Sequence, residues 1–332
     1  MDIVKKTTKK GFYYKNQKTG NKIKSKKMLK HIHSLRIPPA YHDVTINCDP
    51  NAKVLAISTD SMNRKQYIYN PIYIEEQREI KFCDLIHFGR KIKRIRKDIM
   101  IFLNKNDSIP SKETVISLIL FIIDRCNFRI GNEKYKELYK TYGVSTLNSK
   151  HISIKDTSAN ITFIGKKSVT NKGKITHPVA LKLIKQLIEL YGRFDYIFYY
   201  KDSNSGELYR ITEKHINNYL KKYNKRLIVK MFRTWAANQM VLSELIKYPE
   251  SNDEKELKKN YLKTIQKVAE KMHHTTNVSK KNYVNNELID FYLYKNGEFQ
   301  TFINDVKKKN GKLPTTDRIL NALLKKVCNP HN

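Results

Sequence analysis

The chain has 332 residues, with 65 Lys and Arg against 31 Asp and Glu, a formal net charge of +34. The length suffices for one large domain or two ordinary ones with a true core. Self-repulsion at that charge disfavours a compact state unless a polyanion shares the surface, so nucleic acid is the first expected partner, ahead of an acidic membrane or a merely soluble basic protein.

In chain order, the first part reads as β-rich. FYYKNQKTGNKIK (12–24) predicts two short strands around a glycine turn. DVTINCD (43–49) and KVLAIST (53–59) alternate apolar and polar residues across Asp49, Pro50 and Asn51, which predicts a hairpin. RKQYIYN (64–70) predicts a further strand that Pro71 ends. A boundary is expected near residues 77–82, giving a small N-terminal domain (1–78) and a larger one (82–332).

The remainder is mainly helical. Residues 82–104 have helical apolar spacing with a dense basic face, and KETVISLILFIIDRC (112–126) is apolar enough for a central core helix. NEKYKELYKTYG (132–143) is amphipathic and stops at Gly143. The period then shortens: 151–158, 159–168 and 173–179 predict a small antiparallel sheet. Helices are expected again over 179–192 and near 212–223, 230–246, 253–270, 284–294 and 315–328. The fold class is therefore α+β. The run from Val115 to Ile123 is interrupted by Ser117 and falls short of the roughly 20 residues of a membrane span. The N-terminal MDIVKKTTKK lacks the apolar region of a signal peptide. Cys48, Cys83, Cys126 and Cys328 are scattered without CxxC spacing, as expected of reduced thiols in a cytoplasmic or nuclear protein without a zinc site.

Five positions could carry chemistry, and each has a plainer reading. Arg129 could cap the carbonyls ending the apolar helix before it. Lys166, at a predicted β-turn, could be a solvated turn lysine. Arg233 sits on an otherwise apolar helix, where a charge needs either a buried ion pair or an anion. His274 and its neighbour His273 are equal candidates on composition, and Tyr283 could be ordinary packing. Together they suit phosphoryl transfer, which calls for multi-donor cations around the phosphate, an oxygen nucleophile and a proton donor for the leaving hydroxyl. There is no P-loop, no carboxylate metal cage and no glycine-rich phosphate cradle, so neither a metal nor another cofactor is expected.

Arg129 in FRIGNEKY, Lys166 in FIGKK, the segment KMFRTW (230–235) and H-T-x-x-x-S-K-x-x-Y (274–283) occur in the order and spacing of type IB DNA topoisomerases. The likeness is greatest to the poxvirus-type branch, in the version carried by giant DNA viruses such as mimivirus. SLRIPPAYHDVTI (34–46) and RKQYIY (64–69) resemble that branch's amino-terminal domain. The resemblance implies a topoisomerase IB or tyrosine recombinase-like fold, and attack by Tyr283 on double-stranded DNA to give a 3′-phosphotyrosyl link. It implies stabilisation of the transition state by Arg129, Arg233 and His274, and protonation of the departing 5′ oxygen by Lys166. Religation then relaxes supercoils without ATP or metal. It further implies DNA contacts by Gln66, Tyr67, Tyr69, Lys134, Tyr135, Lys167 and Lys230, and a monomer that clamps around DNA in a virus factory or virion. On this reading 273–283 is a hinge that lets Tyr283 reach the phosphate. Tyr67 and Tyr69 share one strand face, where the plainer reading is two core-facing tyrosines.

Two alternatives remain. A tyrosine recombinase uses the same chemistry, but it usually carries His-x-x-Arg where this chain has Lys230-x-x-Arg233 followed by Thr-Trp. A non-catalytic DNA-packaging protein explains the charge and has no use for the ordered constellation.

Overall fold

The computed structural model describes residues 2–8, 11–308 and 315–328. The chain packs as two units, Met1–Lys81 and Phe82–Asn332.

The first unit is a five-stranded antiparallel sheet with one helix. Its elements are β1 (Ile3–Thr8), β2 (Gly11–Asn16), α1 (Lys26–Ser34), β3 (His42–Ile46), β4 (Val54–Thr59) and β5 (Lys65–Tyr69), in spatial order β2-β1-β3-β4-β5. Ile3, Ile32, Val44, Ile46 and Ala56 form its core. The expected β3–β4 hairpin and β5 are present, and a register shift between His42 and Thr45 marks a bulge. The first hairpin differs from expectation. β2 pairs with β1, and after Gly20 only a single bridge forms, Lys15 to Lys22. The lysine-rich N-terminal segment hid a strand whose Ile3 is 1% exposed. Helix α1, capped by Ser25, buries only Ile32, too little apolar periodicity to be read from sequence.

Helix α2 (Pro71–Leu103) starts eleven residues before the expected 82, with proline at its first position, where the missing N–H costs nothing. Its buried residues begin at Phe82 and recur at Leu85, Ile86, Phe88, Ile92, Ile95, Ile99 and Leu103. The turns before Phe82 bury nothing, so no stripe announced them.

In the second unit α3 (Lys112–Cys126) is the central helix, with eleven buried residues. Ser111 caps its start and Asn127, left-handed at φ 55°, ends it. Next come α4 (Glu133–Tyr139), the antiparallel sheet β6 (Ile152–Lys155), β7 (Ser158–Ile164) and β8 (Thr170–Ile175), and α5 (Pro178–Tyr191). A short hairpin of β9 (Tyr199–Lys201) and β10 (Leu208–Arg210) leads to α6 (Glu213–Lys221) and α7 (Lys230–Leu245). The chain continues through α8 (Glu254–Lys271), α9 (Thr276–Asn282), α10 (Asn286–Tyr294), α11 (Asn296–Lys308) and α12 (Thr316–Cys328). The β9–β10 hairpin, α9 and α11 were not foreseen: three-residue strands are too short to alternate, and α9 buries only Ser279. Asp317 of α12 accepts from Trp235 Nε1 and Gln239 Nε2 of α7 at 2.7 and 2.9 Å and pairs with Arg96 of α2 at 2.6 Å. Arg96 also grips Asp124 of α3, so one carboxylate and one guanidinium join four helices.

Candidate active site

Four of the five candidate residues come together, from four stretches of chain. Arg233 lies one turn into α7 and is 4% exposed. Its Nη2 donates to the Met272 carbonyl at 2.9 Å, while among the described residues Nε and Nη1 form no hydrogen bond. No carboxylate pairs with it among the described residues, so the ion-pair reading gives way to that of an anion site. Burial lowers its pKa to about 10, so it stays charged at neutral pH.

The end of α8 decides between the two histidines. His273 adopts φ 54°. Its N–H bonds the Glu270 carbonyl and that of His274 bonds the Ala269 carbonyl, both at 3.1 Å. These are the paired bonds of a left-handed helix ending. His273 is thereby the reversing residue, and its ring lies 5.7 Å from Phe128. The His274 ring instead stacks on Tyr283, 4.8 Å between centroids at 12°. Burial pushes the His274 pKa down to about 4, so the ring is neutral at pH 7. Its Nε2 is buried without a hydrogen-bond partner among the described residues.

Tyr283 ends α9, whose start is capped by Thr275. The segment read as a hinge is therefore a short helix between two histidines and the tyrosine. Arg233 Cζ lies 5.3 Å from the Tyr283 ring centroid. Burial pushes the phenol's pKa up, but the positive charges of Arg233 and Arg129 outweigh it and leave the net value below the ordinary one. Arg129 is thus turned towards Tyr283, on the loop after α3, where Asn127 already ends the helix.

That loop is held by close backbone approach. Gly131 has φ +95°, and a Cβ on Gly143 would lie 2.3 Å from Gly131 N and 2.6 Å from the Arg129 carbonyl oxygen. Val144 N donates to Arg129 O at 2.9 Å and Ser145 N to Ile130 O at 2.6 Å.

Asn238, fully buried on α7, was not foreseen. Its Nδ2 donates to the Tyr283 carbonyl and its Oδ1 accepts from Asn285 N, both at 2.8 Å. It clamps the backbone just after the phenol, from Tyr283 to Asn285, to the helix that carries Arg233. A buried asparagine five residues after Arg233 on an apolar helix was the available signal.

Lys166 stands apart, at the exposed tip of the β7–β8 hairpin. The tip is closed by Gly165 N to Val169 O at 2.8 Å, and Lys167 and Ser168 are left-handed at φ 61° and 57°. Among the described residues Lys166 has no hydrogen-bond or ion-pair partner. Lys167 shares the tip, Lys230 is exposed at the start of α7, and Lys134 and Tyr135 are exposed on α4, Tyr135 at 54%. Glu133 beside them is gripped by both Arg210 nitrogens at 2.6 and 2.7 Å.

In the first unit Tyr67 and Tyr69 are 46% and 39% exposed and stack at 6.0 Å, which overturns the core-facing reading. Tyr73 continues the ladder 5.8 Å from Tyr69. Gln66 lies on the opposite strand face, and its amide donates to Asp60 at 2.8 Å. A cleft of about 750 Å³ lined by Leu103, Asn106, Thr176, Lys182 and Gln186 contains none of these residues. Among the described residues no group of three His, Cys, Asp or Glu could hold a metal ion.

The family model of the eukaryotic DNA topoisomerase I catalytic core matches residues 63–310, and that of the bacterial DNA topoisomerase IB N-terminal domain matches 11–60. A DNA topoisomerase 1B of Acanthamoeba polyphaga mimivirus is 34% identical over 288 residues, 85% of this chain and 83% of that protein. The chain belongs to the type IB DNA topoisomerases. A DNA topoisomerase 1 of rabbit fibroma virus is 26% identical to this topoisomerase over 82% of each chain. A solved XerH site-specific recombinase bound to its difH substrate aligns at 17% identity and TM-score 0.35, over 57% of this chain and 47% of that one. A likeness that slight lends the recombinase alternative no weight.

Proposed function

We propose that this topoisomerase relaxes duplex DNA through Tyr283. The phenol oxygen attacks a backbone phosphorus, the bond from phosphorus to the 5′ oxygen breaks, and a 3′-phosphotyrosyl link forms. Arg129, Arg233 and His274 donate to the non-bridging oxygens as charge gathers there. Lys166, swung in on its hairpin, gives a proton to the departing 5′ oxygen. The free end swivels, and its hydroxyl attacks the phosphotyrosine to reseal the strand. One phosphodiester is exchanged for another of similar energy, so no ATP is consumed. The observation that carries this reading is the buried Arg233, without a carboxylate partner among the described residues, beside a phenol whose pKa is lowered.

For binding, we infer that the exposed Tyr67–Tyr69 face reads thymine methyls in the major groove. Gln66 reads adenine only by releasing Asp60. Lys134, Tyr135, Lys167 and Lys230 hold the backbone, and the N-terminal domain (1–78) and catalytic domain (82–332) clamp the duplex. One chain supplies the whole catalytic set, which supports a monomer. Viral relatives support action where viral DNA is handled, in a virus factory or virion.

The test is incubation with positively or negatively supercoiled plasmid in EDTA without ATP. Relaxation of both is expected, with Tyr283→Phe binding DNA but forming no covalent complex. An absolute need for Mg²⁺ or ATP, or a 5′-linked adduct, overturns the reading.

A further inference from the structure

The His274 ring is usable only in one protonation pattern, and a neighbour in α9 is placed to select it. This inference rests on the role of His274 given above. A neutral imidazole carries one N–H, on either ring nitrogen. To donate to a phosphate oxygen His274 must carry it on Nε2, the buried nitrogen with no partner among the described residues. With the proton on Nδ1, Nε2 would turn a lone pair towards the phosphate and repel it.

Two groups meet Nδ1. The Thr275 carbonyl lies 3.3 Å away and can only accept, so it pulls the proton onto Nδ1. Ser279 Oγ lies 3.2 Å away and can donate, which keeps Nδ1 unprotonated. Ser279 is fully buried, with Nδ1 as its side-chain partner, four residues before Tyr283 and five after His274. Its backbone carbonyl also receives the N–H groups of Tyr283 and Val284, at 3.0 and 3.1 Å. The side chain that selects the histidine proton and the carbonyl that seats the nucleophile belong to one residue.

We propose that Ser279 is a positioning residue that donates its hydroxyl hydrogen to His274 Nδ1 and so holds the imidazole as the Nε2–H tautomer that faces the scissile phosphate. The burial that keeps the ring neutral makes the choice of tautomer matter, since a doubly protonated ring would donate from Nε2 regardless.

The test uses full-length protein with ¹⁵N-labelled histidine. Long-range ¹H–¹⁵N spectra at neutral pH report which ring nitrogen carries hydrogen, with His274 assigned by its loss in His274→Ala. The wild type is expected to show protonated Nε2 and bare Nδ1, and Ser279→Ala to shift hydrogen to Nδ1. Ser279→Thr, which keeps the hydroxyl, should retain the wild-type pattern. In single-turnover cleavage Ser279→Ala should slow the reaction by about 10- to 100-fold, less than the roughly 10²- to 10³-fold expected from losing one transition-state donor outright. Added to His274→Ala it should cost almost nothing more, since both act through one group. A wild type already protonated on Nδ1, or an unchanged tautomer in Ser279→Ala, overturns the proposal even if cleavage slows, since the serine then acts through packing. If His274→Ala cleaves at the wild-type rate, the role of His274 in the reaction fails instead, and the nitrogen spectra still report on Ser279.

Discussion

At the scale of single residues, the site is a balance between desolvation and charge. Burial raises the Tyr283 phenol, and two guanidiniums more than reverse that. Arg233→Ala removes the larger favourable charge, so the Tyr283 pKa should rise, and at fixed pH less of the phenol is ionised. The check is a ¹³Cζ-tyrosine titration, with the resonance assigned by Tyr283→Phe; an unchanged midpoint in Arg233→Ala would mean that the guanidinium does not sense the phenol. His274 runs the other way. Its folded pKa of about 4 lies below the ordinary 6.5, so as pH falls through that window the unfolded chain takes a proton the buried ring refuses. The group therefore weakens the fold between those values and is indifferent above them. Motif spacing named Arg129, Arg233, His274 and Tyr283. Composition alone could not choose His274 over His273, and the structure gives the physical reason for the motif's choice: His273 is the residue that turns left-handed at the end of α8.

At the scale of elements, two devices aim the cations. One is the loop carrying Arg129, whose strands of backbone touch at Gly131 and Gly143. Gly143→Ala inserts a methyl against backbone atoms that have no room, and should destabilise the protein by about 1–3 kcal/mol, as overpacking does. Because the pushed atoms include the Arg129 carbonyl, cleavage should fall further than stability explains. Denaturant melts and cleavage rates on the same samples check this, and wild-type values in both would show that the loop yields freely. The other device is the β7–β8 hairpin with Lys166 at its tip. As a solvated turn lysine its loss should change stability by no more than about 0.5 kcal/mol. As the proton donor its loss should slow cleavage by on the order of 10²- to 10⁴-fold. Replacing the 5′-bridging oxygen with sulfur separates proton donation from charge. A thiol, with pKa about 8.5, leaves without protonation. Lys166→Ala should cleave that substrate nearly as fast as wild type, while Arg233→Ala stays slow. Equal impairment of Lys166→Ala on both substrates would pass the role to Lys167 or Lys230. The hairpin was readable from its alternating residues, whereas α9 was not, since a seven-residue helix with one buried serine leaves no stripe.

At the scale of the whole molecule, the charge of +34 is a statement about the partner. If the basic surface neutralises roughly six to ten phosphates, log K should fall against log salt with a slope of about −5 to −9. Binding titrations across a salt series measure it, and a slope near −1 would mean that most of the lysines face only solvent. Family membership and the α+β class agree with the early strands, the apolar α3 and the basic helical face. The same charge density that signals DNA also obscured structure: β1 carries two lysines and two threonines among its six residues, while the first turns of α2 bury none of theirs.

What the sequence determined by itself was the family and the candidate chemical groups: cation donors, a phenol, a hairpin lysine and a charge that calls for a polyanionic partner, because residue type and order along the chain carry that information. What only the tertiary structure decided was aim. That Arg233 lacks an acid partner among the described residues, that Asn238 grips the backbone from Tyr283 to Asn285, and that Ser279 meets the inner nitrogen of His274 depend on contacts between α7, the end of α8, α9 and the start of α10. Such contacts join positions up to about fifty residues apart, and the packing that makes them leaves no periodic mark in the polar residues involved.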